Sequence, residues 1–125
     1  MRLLLDTQIM LWWLLDDPRL GSDIRGLMVC SPCVVSVASI WEVAIKHRLG
    51  KLAVTPAQFR DESLAAGASL LPVLEAHVIE TGQLPLLHQD PFDRLLIAQA
   101  RVEGLMAVSS DRQWRGYDVS LHGVC

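Results

Sequence analysis

The chain has 125 residues, 51% of them hydrophobic and 20% charged, which fits one compact domain over residues 1–125 with enough apolar material for a real core. A formal net charge of −3 excludes a generally basic surface, so a polyanionic partner would have to be held by local Lys and Arg or by a bound cation. No run approaches the roughly 18 apolar residues of a membrane span, and the opening MRLLLD is broken by Asp6 where an export signal needs an unbroken apolar stretch, so the chain is expected in the cytoplasm and away from membranes.

In chain order, residues 2–6 (RLLLD) read as a short buried strand, and Thr7 opens an apolar helix that stops at Asp16-Asp17-Pro18. Ser22 is placed to cap a second helix running to about Val29. Cys30 and Cys33 form a C-x-x-C, but the pair leads into the strand-like run VVSV rather than a helix, and no further ligands stand at zinc spacing. With three cysteines in all, an odd number, reduced thiols are expected rather than a disulfide framework. CVVSV is the second strand, followed by the helix SIWEVAIKHRLG, which ends in basic residues and Gly50. Thr55-Pro56 starts a helix that ends near Gly67, ASLLPV is a third strand and EAHVIETG a short helix. HQDPFDRLLIAQA contains a helix from Pro91 to Glu103, LMAVS is a fourth strand, and DVSL (118–121) a fifth. Strands separated by helices mean an α/β fold with a mostly parallel sheet.

The front of the helix after Gln89 carries two carboxylates. Asp90 suits the N-cap and Pro91 the first helical position, while Asp93 sits in the first turn, where the helix dipole favours negative charge. Helix-start chemistry alone accounts for both, so the other acids must decide whether either does more. In an open parallel sheet the ligand site lies outside the carboxyl ends of the strands. Asp6 ends the first strand there, and Asp111 follows the fourth after Ser109 and Ser110. Glu42 reads as the end of a capping box, Ser39-x-x-Glu42, yet it also projects toward the half-apolar side of its helix, near Ile45 and Leu49. Asp93 shares its helical face with Ile97 and Ala100 and should point inward.

Asp6, Glu42, Asp93 and Asp111 are therefore expected to converge on one rim. Carboxylates sharing a site stay ionised together only if a cation neutralises them, and an all-oxygen set favours a hard ion, Mg2+ or Mn2+. Such an ion suits phosphate chemistry, polarising the phosphoryl oxygen, lowering the pKa of the attacking water and stabilising the leaving oxygen. Arg94 and Arg112, beside two of the acids, are the candidates for phosphate contact. Arg48 and Lys51 read as solvated charge at a helix C-terminus. The four histidines form no metal-binding spacing, and His88, two residues before Asp90, reads as a loop residue. Trp12 and Trp13 point about 100° apart, so one belongs to the core and the other to its edge or to an interface.

LLLDTQIMLWWL, SVASIWEVAIKHRLGKL, HQDPFDRLLIAQA and AVSSD, in this order and across essentially the whole chain, resemble the PIN-domain ribonucleases, and among them the VapC toxins of prokaryotic toxin–antitoxin pairs. The resemblance implies a three-layer α/β/α fold with a central five-stranded sheet, a Mg2+- or Mn2+-dependent endoribonuclease, a cognate antitoxin that blocks the site, and a homodimer. Its acidic constellation carries over to Asp6, Glu42, Asp93 and Asp111 as metal ligands and catalytic residues, with Ser109, Asp90 and Thr7 in support. It divides the two acids of DPFD, with Asp93 the ligand and Asp90 mainly the cap. Two positions depart from the pattern: Gln8 stands where many relatives have His, and Trp114 where Phe is common. Gln8 cannot carry a proton near neutral pH, which keeps open a catalytically inactive PIN-like binding module. A phosphatase using Asp6 as nucleophile would want a second Asp at Gln8 and lacks it.

Overall fold

The computed structural model describes residues 2–117 and 121–123. Its strands are β1 (Leu3–Leu5), β2 (Cys33–Ser36), β3 (Ser69–Leu71), β4 (Met106–Ser109) and β5 (Leu121–Gly123). The helices are α1 (Thr7–Leu14), α2 (Ser22–Cys30), α3 (Val37–Arg48), α4 (Pro56–Ala65), α5 (Glu75–Thr81) and α6 (Pro91–Glu103), and a 3-10 turn spans Arg112–Gly116. The strands form one sheet in the order β3-β2-β1-β4-β5, every pairing parallel.

Being central, β1 is buried on both faces, which is why it reads as an unbroken Leu run rather than an alternating one. Leu3 and Leu5 join Ile9, Met10, Ile24, Met28, Val43 and Phe59 in one core under α1–α4. Leu4 points the other way, to Val34, Leu96, Ile97, Ala107 and Trp114 beneath α6. The result is three layers, α/β/α, and no helix among the described residues is long and apolar enough to cross a membrane.

Helix boundaries follow local chemistry. Thr55 and Gln58 make a reciprocal capping box with Pro56 at the first turn of α4. Asp90 accepts the Phe92 and Asp93 N–H groups at the start of α6, and Gly104 ends that helix with φ 66°, a left-handed conformation natural to glycine. Two expected caps are corrected. Gly21, not Ser22, occupies the N-cap of α2. Ser36, not Ser39, caps α3 by accepting the Ala38 N–H, because the strand passes into the helix without a loop and Ser39 is already inside it. The fifth strand falls at Leu121–Gly123 rather than 118–121, of which 118–120 lie outside the described residues.

The chain lays β2 and β3 on one side of β1, then returns to place β4 on the other. That reversal opens a crevice at the carboxyl ends of β1 and β4, the usual ligand position in such sheets.

Candidate metal centre

Register sets the first two acids. Leu5 pairs with Val108, so the residues that follow, Asp6 and Ser109, emerge side by side. Ser109 Oγ donates to Asp6 Oδ2 at 2.7 Å and accepts the Asp111 N–H at 3.0 Å. Each acid also caps the element after it: Asp6 Oδ1 accepts the Gln8 N–H, and Asp111 Oδ1 accepts the Gln113 N–H. In each acid one carboxylate oxygen thus holds the backbone while the other engages a side chain, Ser109 for Asp6 and His88 for Asp111.

Glu42 arrives from the second turn of α3 and Asp93 from the first turn of α6. Their sequence neighbours Trp41 and Phe92 meet edge to face with centroids 4.9 Å apart, which fastens the two turns together. Thr7 Oγ1 donates to Ser39 Oγ at 2.8 Å, tying the Asp6 turn to the face of α3 that carries Glu42. Glu42 is 7% exposed; its Oε2 accepts from Lys46 Nζ at 2.8 Å, whereas Oε1 is buried without a partner.

His88, read from sequence as a loop residue, stands inside the cluster. Its Nε2 lies 2.8 Å from Asp93 Oδ2 and 2.9 Å from Asp111 Oδ2, and its Nδ1 accepts the Asp90 N–H at 3.2 Å. Ligand atoms of His88, Asp93 and Asp111 all lie within 4.8 Å of one another. The tightest grouping therefore differs from the expected principal set of Asp6, Glu42 and Asp93; Ser109 and Lys46 engage one oxygen each on Asp6 and Glu42. Those two acids remain within electrostatic reach of Asp93.

The electrostatics are those of too much negative charge in too little water. Burial, then the charges of Glu42 and Asp111, push Asp6 up to about 6 against the lowering hydrogen bonds from Ser109 and Gln8. Burial, then the charges of Asp6 and Asp90, push Asp93 up to about 7, opposed by His88. For His88 itself burial disfavours the imidazolium, but Asp111 and Asp93 outweigh it and raise its pKa. Geometry selects the neutral ring all the same: a charged one would set an Nδ1–H against the Asp90 N–H, so the proton sits on Nε2, an assignment made from the hydrogen-bond network. Lys46 is held above its ordinary value by its pair with Glu42, despite burial acting the other way. An orphaned Glu42 oxygen and two carboxylates pushed up to about 6 and about 7 are what a hard divalent cation would satisfy, so the residues present fit such an ion.

Arg94 is a correction. Its guanidinium, expected at a phosphate, donates to the carbonyls of Pro85 and Thr81 at 2.8 Å each, and Nη1 reaches Tyr117 Oη at 3.4 Å. It clamps the loop before α6. Arg112 is exposed at the start of the 3-10 turn. Cys30 and Cys33 are free thiols, and no metal-type grouping among the described residues contains them. Trp12 is buried beneath Arg19, while Trp13 at the core edge lies under Arg25.

Fold and site together define a parallel α/β domain with an acidic crevice at the switch point of its sheet. The sequence matches the PIN domain family over residues 3–119, and the chain belongs to that family. Among solved structures it is similar to VapBC2 of Rickettsia felis bound to a fragment of its promoter DNA, with a TM-score of 0.74 at 14% identity and 98% of each chain covered. It is also similar to DNA-bound VapBC of Salmonella typhimurium, with a TM-score of 0.72 at 16% identity, covering 100% of this chain and 99% of that one. For VapBC-1 of nontypeable Haemophilus influenzae the TM-score is 0.65 at 16% identity, with 98% of each chain covered. No curated protein sequence matches the chain.

Proposed function

We propose that this PIN domain is a VapC-type toxin: a Mg2+- or Mn2+-dependent endoribonuclease, cytoplasmic, that pairs with an antitoxin protein. The observation that carries the reading is the crevice itself, where Asp93 and Asp111 come together at His88, Asp6 and Glu42 lie within electrostatic reach, one Glu42 oxygen is unpartnered and two pKa values are driven up. Asp6, Glu42, Asp93 and Asp111 would hold the ion. When bound it supplies charge neutralisation, polarisation of a phosphoryl oxygen and acidification of water. The protein's part is positioning: Ser109 orients Asp6, Asp90 fixes the backbone from which Asp93 projects, and Thr7 locks the Asp6 turn to α3. Lys46, whose side chain is 42% exposed, and Arg112 are the cations on the rim that would meet RNA phosphates.

Support for an antitoxin comes from the neighbours, which are VapBC assemblies, and from an apolar groove lined by Trp41, Ile45, Val78, Phe92 and Leu95 between α3, α5 and α6. Trp41 is 60% exposed, surface that a protein partner, antitoxin or second subunit, would cover.

The test is cleavage of a mixed RNA pool by antitoxin-free protein with Mn2+, with Mg2+ and with EDTA, beside Asp93→Asn. Metal-dependent cutting that the variant lacks is expected. Folded protein that binds Mn2+ and cuts no RNA would favour the inactive binding module, for which Gln8 is the motive and Gln8→His the next variant.

A further inference from the structure

The loop between α5 and α6, residues 82–90, is fastened at several points. Arg94 reaches back from α6 to the carbonyls of Thr81 and Pro85. Tyr117 Oη accepts the His88 backbone N–H at 2.7 Å and also receives Arg94. The His88 ring is then oriented by the Asp90 N–H on Nδ1, with the residue 8% exposed. Backbone and ring are fixed separately, and the atom so aimed is Nε2, which faces one oxygen of Asp93 and one of Asp111.

A ring whose Nδ1 accepts must carry its proton on Nε2, so that nitrogen donates and does not ligate. We propose that His88 is a positioning residue of the metal centre, whose Nε2–H hydrogen-bonds Asp111 Oδ2 with Asp93 Oδ2 in contact 2.8 Å away, a clasp that sets the separation of these two carboxylates before an ion arrives. Without the clasp, two like charges approaching from different elements would swing apart, and the ion would have to gather them. Arg94 and Tyr117 act through His88, which explains why the Arg of the DPFDR stretch turns away from the crevice. Hydrogen-bond partners that orient ligating carboxylates commonly contribute about 10- to 100-fold in metal affinity. This inference rests on the proposed metal site.

The experiment is calorimetric titration of Mn2+ into the full chain, well below its melting temperature, for wild type, His88→Leu, His88→Gln and Tyr117→Phe. His88→Leu keeps bulk and loses the donor; its Kd is expected to rise about 10- to 100-fold. His88→Gln keeps an N–H donor where Nε2 stands and is expected within a few-fold of wild type. Tyr117→Phe, which loosens the backbone anchor only, should fall between them, and it carries the test if His88→Leu fails to fold. Equal or tighter binding by His88→Leu, or by Tyr117→Phe in its place, would overturn the proposal, because His88 would then be neutral or a competitor for the oxygens. His88→Gln binding as weakly as His88→Leu would overturn it too, since a donor would not be the feature that matters. A wild type that takes no Mn2+ would instead sink the metal-site reading on which the inference stands.

Discussion

The two ends of α6 use the same hydrogen-bonding device to different ends. Near its C-terminus His77, fully buried, accepts the Leu74 N–H on Nδ1 and places Nε2 2.8 Å from Glu103. At its N-terminus His88 accepts the Asp90 N–H on Nδ1 and places Nε2 against Asp93 and Asp111. One imidazole faces one carboxylate at the first end, where Gln99 Nε2 also lies 3.3 Å from His77 Nδ1 and Gln99 Oε1 is left without a partner. At the second, one imidazole and Lys46 face four acids, two of them driven to about 6 and about 7. The same local chemistry makes a structural pin where one imidazole meets one carboxylate and a candidate site where carboxylates outnumber their partners.

The largest expected break of this contrast is Asp93→Asn, which should cut RNA cleavage on the order of 1,000-fold in a gel assay while leaving the fold intact. His77→Ala should act in the opposite sense, lowering stability by about 2–4 kcal/mol through a cavity and an unpaired Leu74 N–H. Chemical denaturation would show that loss, and calorimetry should find its Mn2+ affinity unchanged.

Next comes pH. The folded pKa of Asp93 lies above its ordinary 3.8, as does that of Asp6, so between 3.8 and about 7 the folded protein binds more protons than the unfolded chain. Stability of the metal-free protein should therefore fall as pH rises through the upper part of that window, by on the order of 3 kcal/mol between pH 5.5 and pH 8. Denaturation between pH 5.5 and pH 8 in EDTA measures it, and saturating Mn2+ should flatten or reverse the trend. The smallest effect is expected from Ser109→Ala. Losing the donor that lowers Asp6 should raise that pKa further and cost about 1 kcal/mol of Mn2+ binding. The deficit should be greater at pH 6.5 than at pH 8.5.

Much of this was legible in the sequence, for stated reasons. The Leu run of β1, the Asp90-Pro91 start and the Gly104 stop are local signals, and α6 follows them residue for residue. The expectation that four acids share a rim came from a general property of parallel sheets, that strand ends and helix starts lie together; Asp93 and Asp111 do come together at His88, with Asp6 and Glu42 within electrostatic reach of Asp93. Partnerships across the chain were not legible. His88 meets Asp111 over a separation of 23 residues, and no local pattern announces it; the nearest cue was its place two residues before the cap, within reach of the Asp90 N–H. Arg94 was misplaced because its sequence neighbour Asp93 faces the crevice, whereas its own position on the helix turns it to the loop carbonyls. Ser39 matched a capping box, but the strand ran straight into the helix and Ser36 took the cap.

The central claim is that the crevice holds excess negative charge awaiting a cation. Melting temperature at pH 8 tests it most directly, for wild type and Asp93→Asn, each with EDTA and with saturating Mn2+. The account predicts a crossing: in EDTA the variant melts above wild type because repulsion is relieved, and Mn2+ raises wild type by mass action while leaving the variant nearly where it was. A variant that melts lower than wild type in EDTA, or a wild type indifferent to Mn2+, would contradict it.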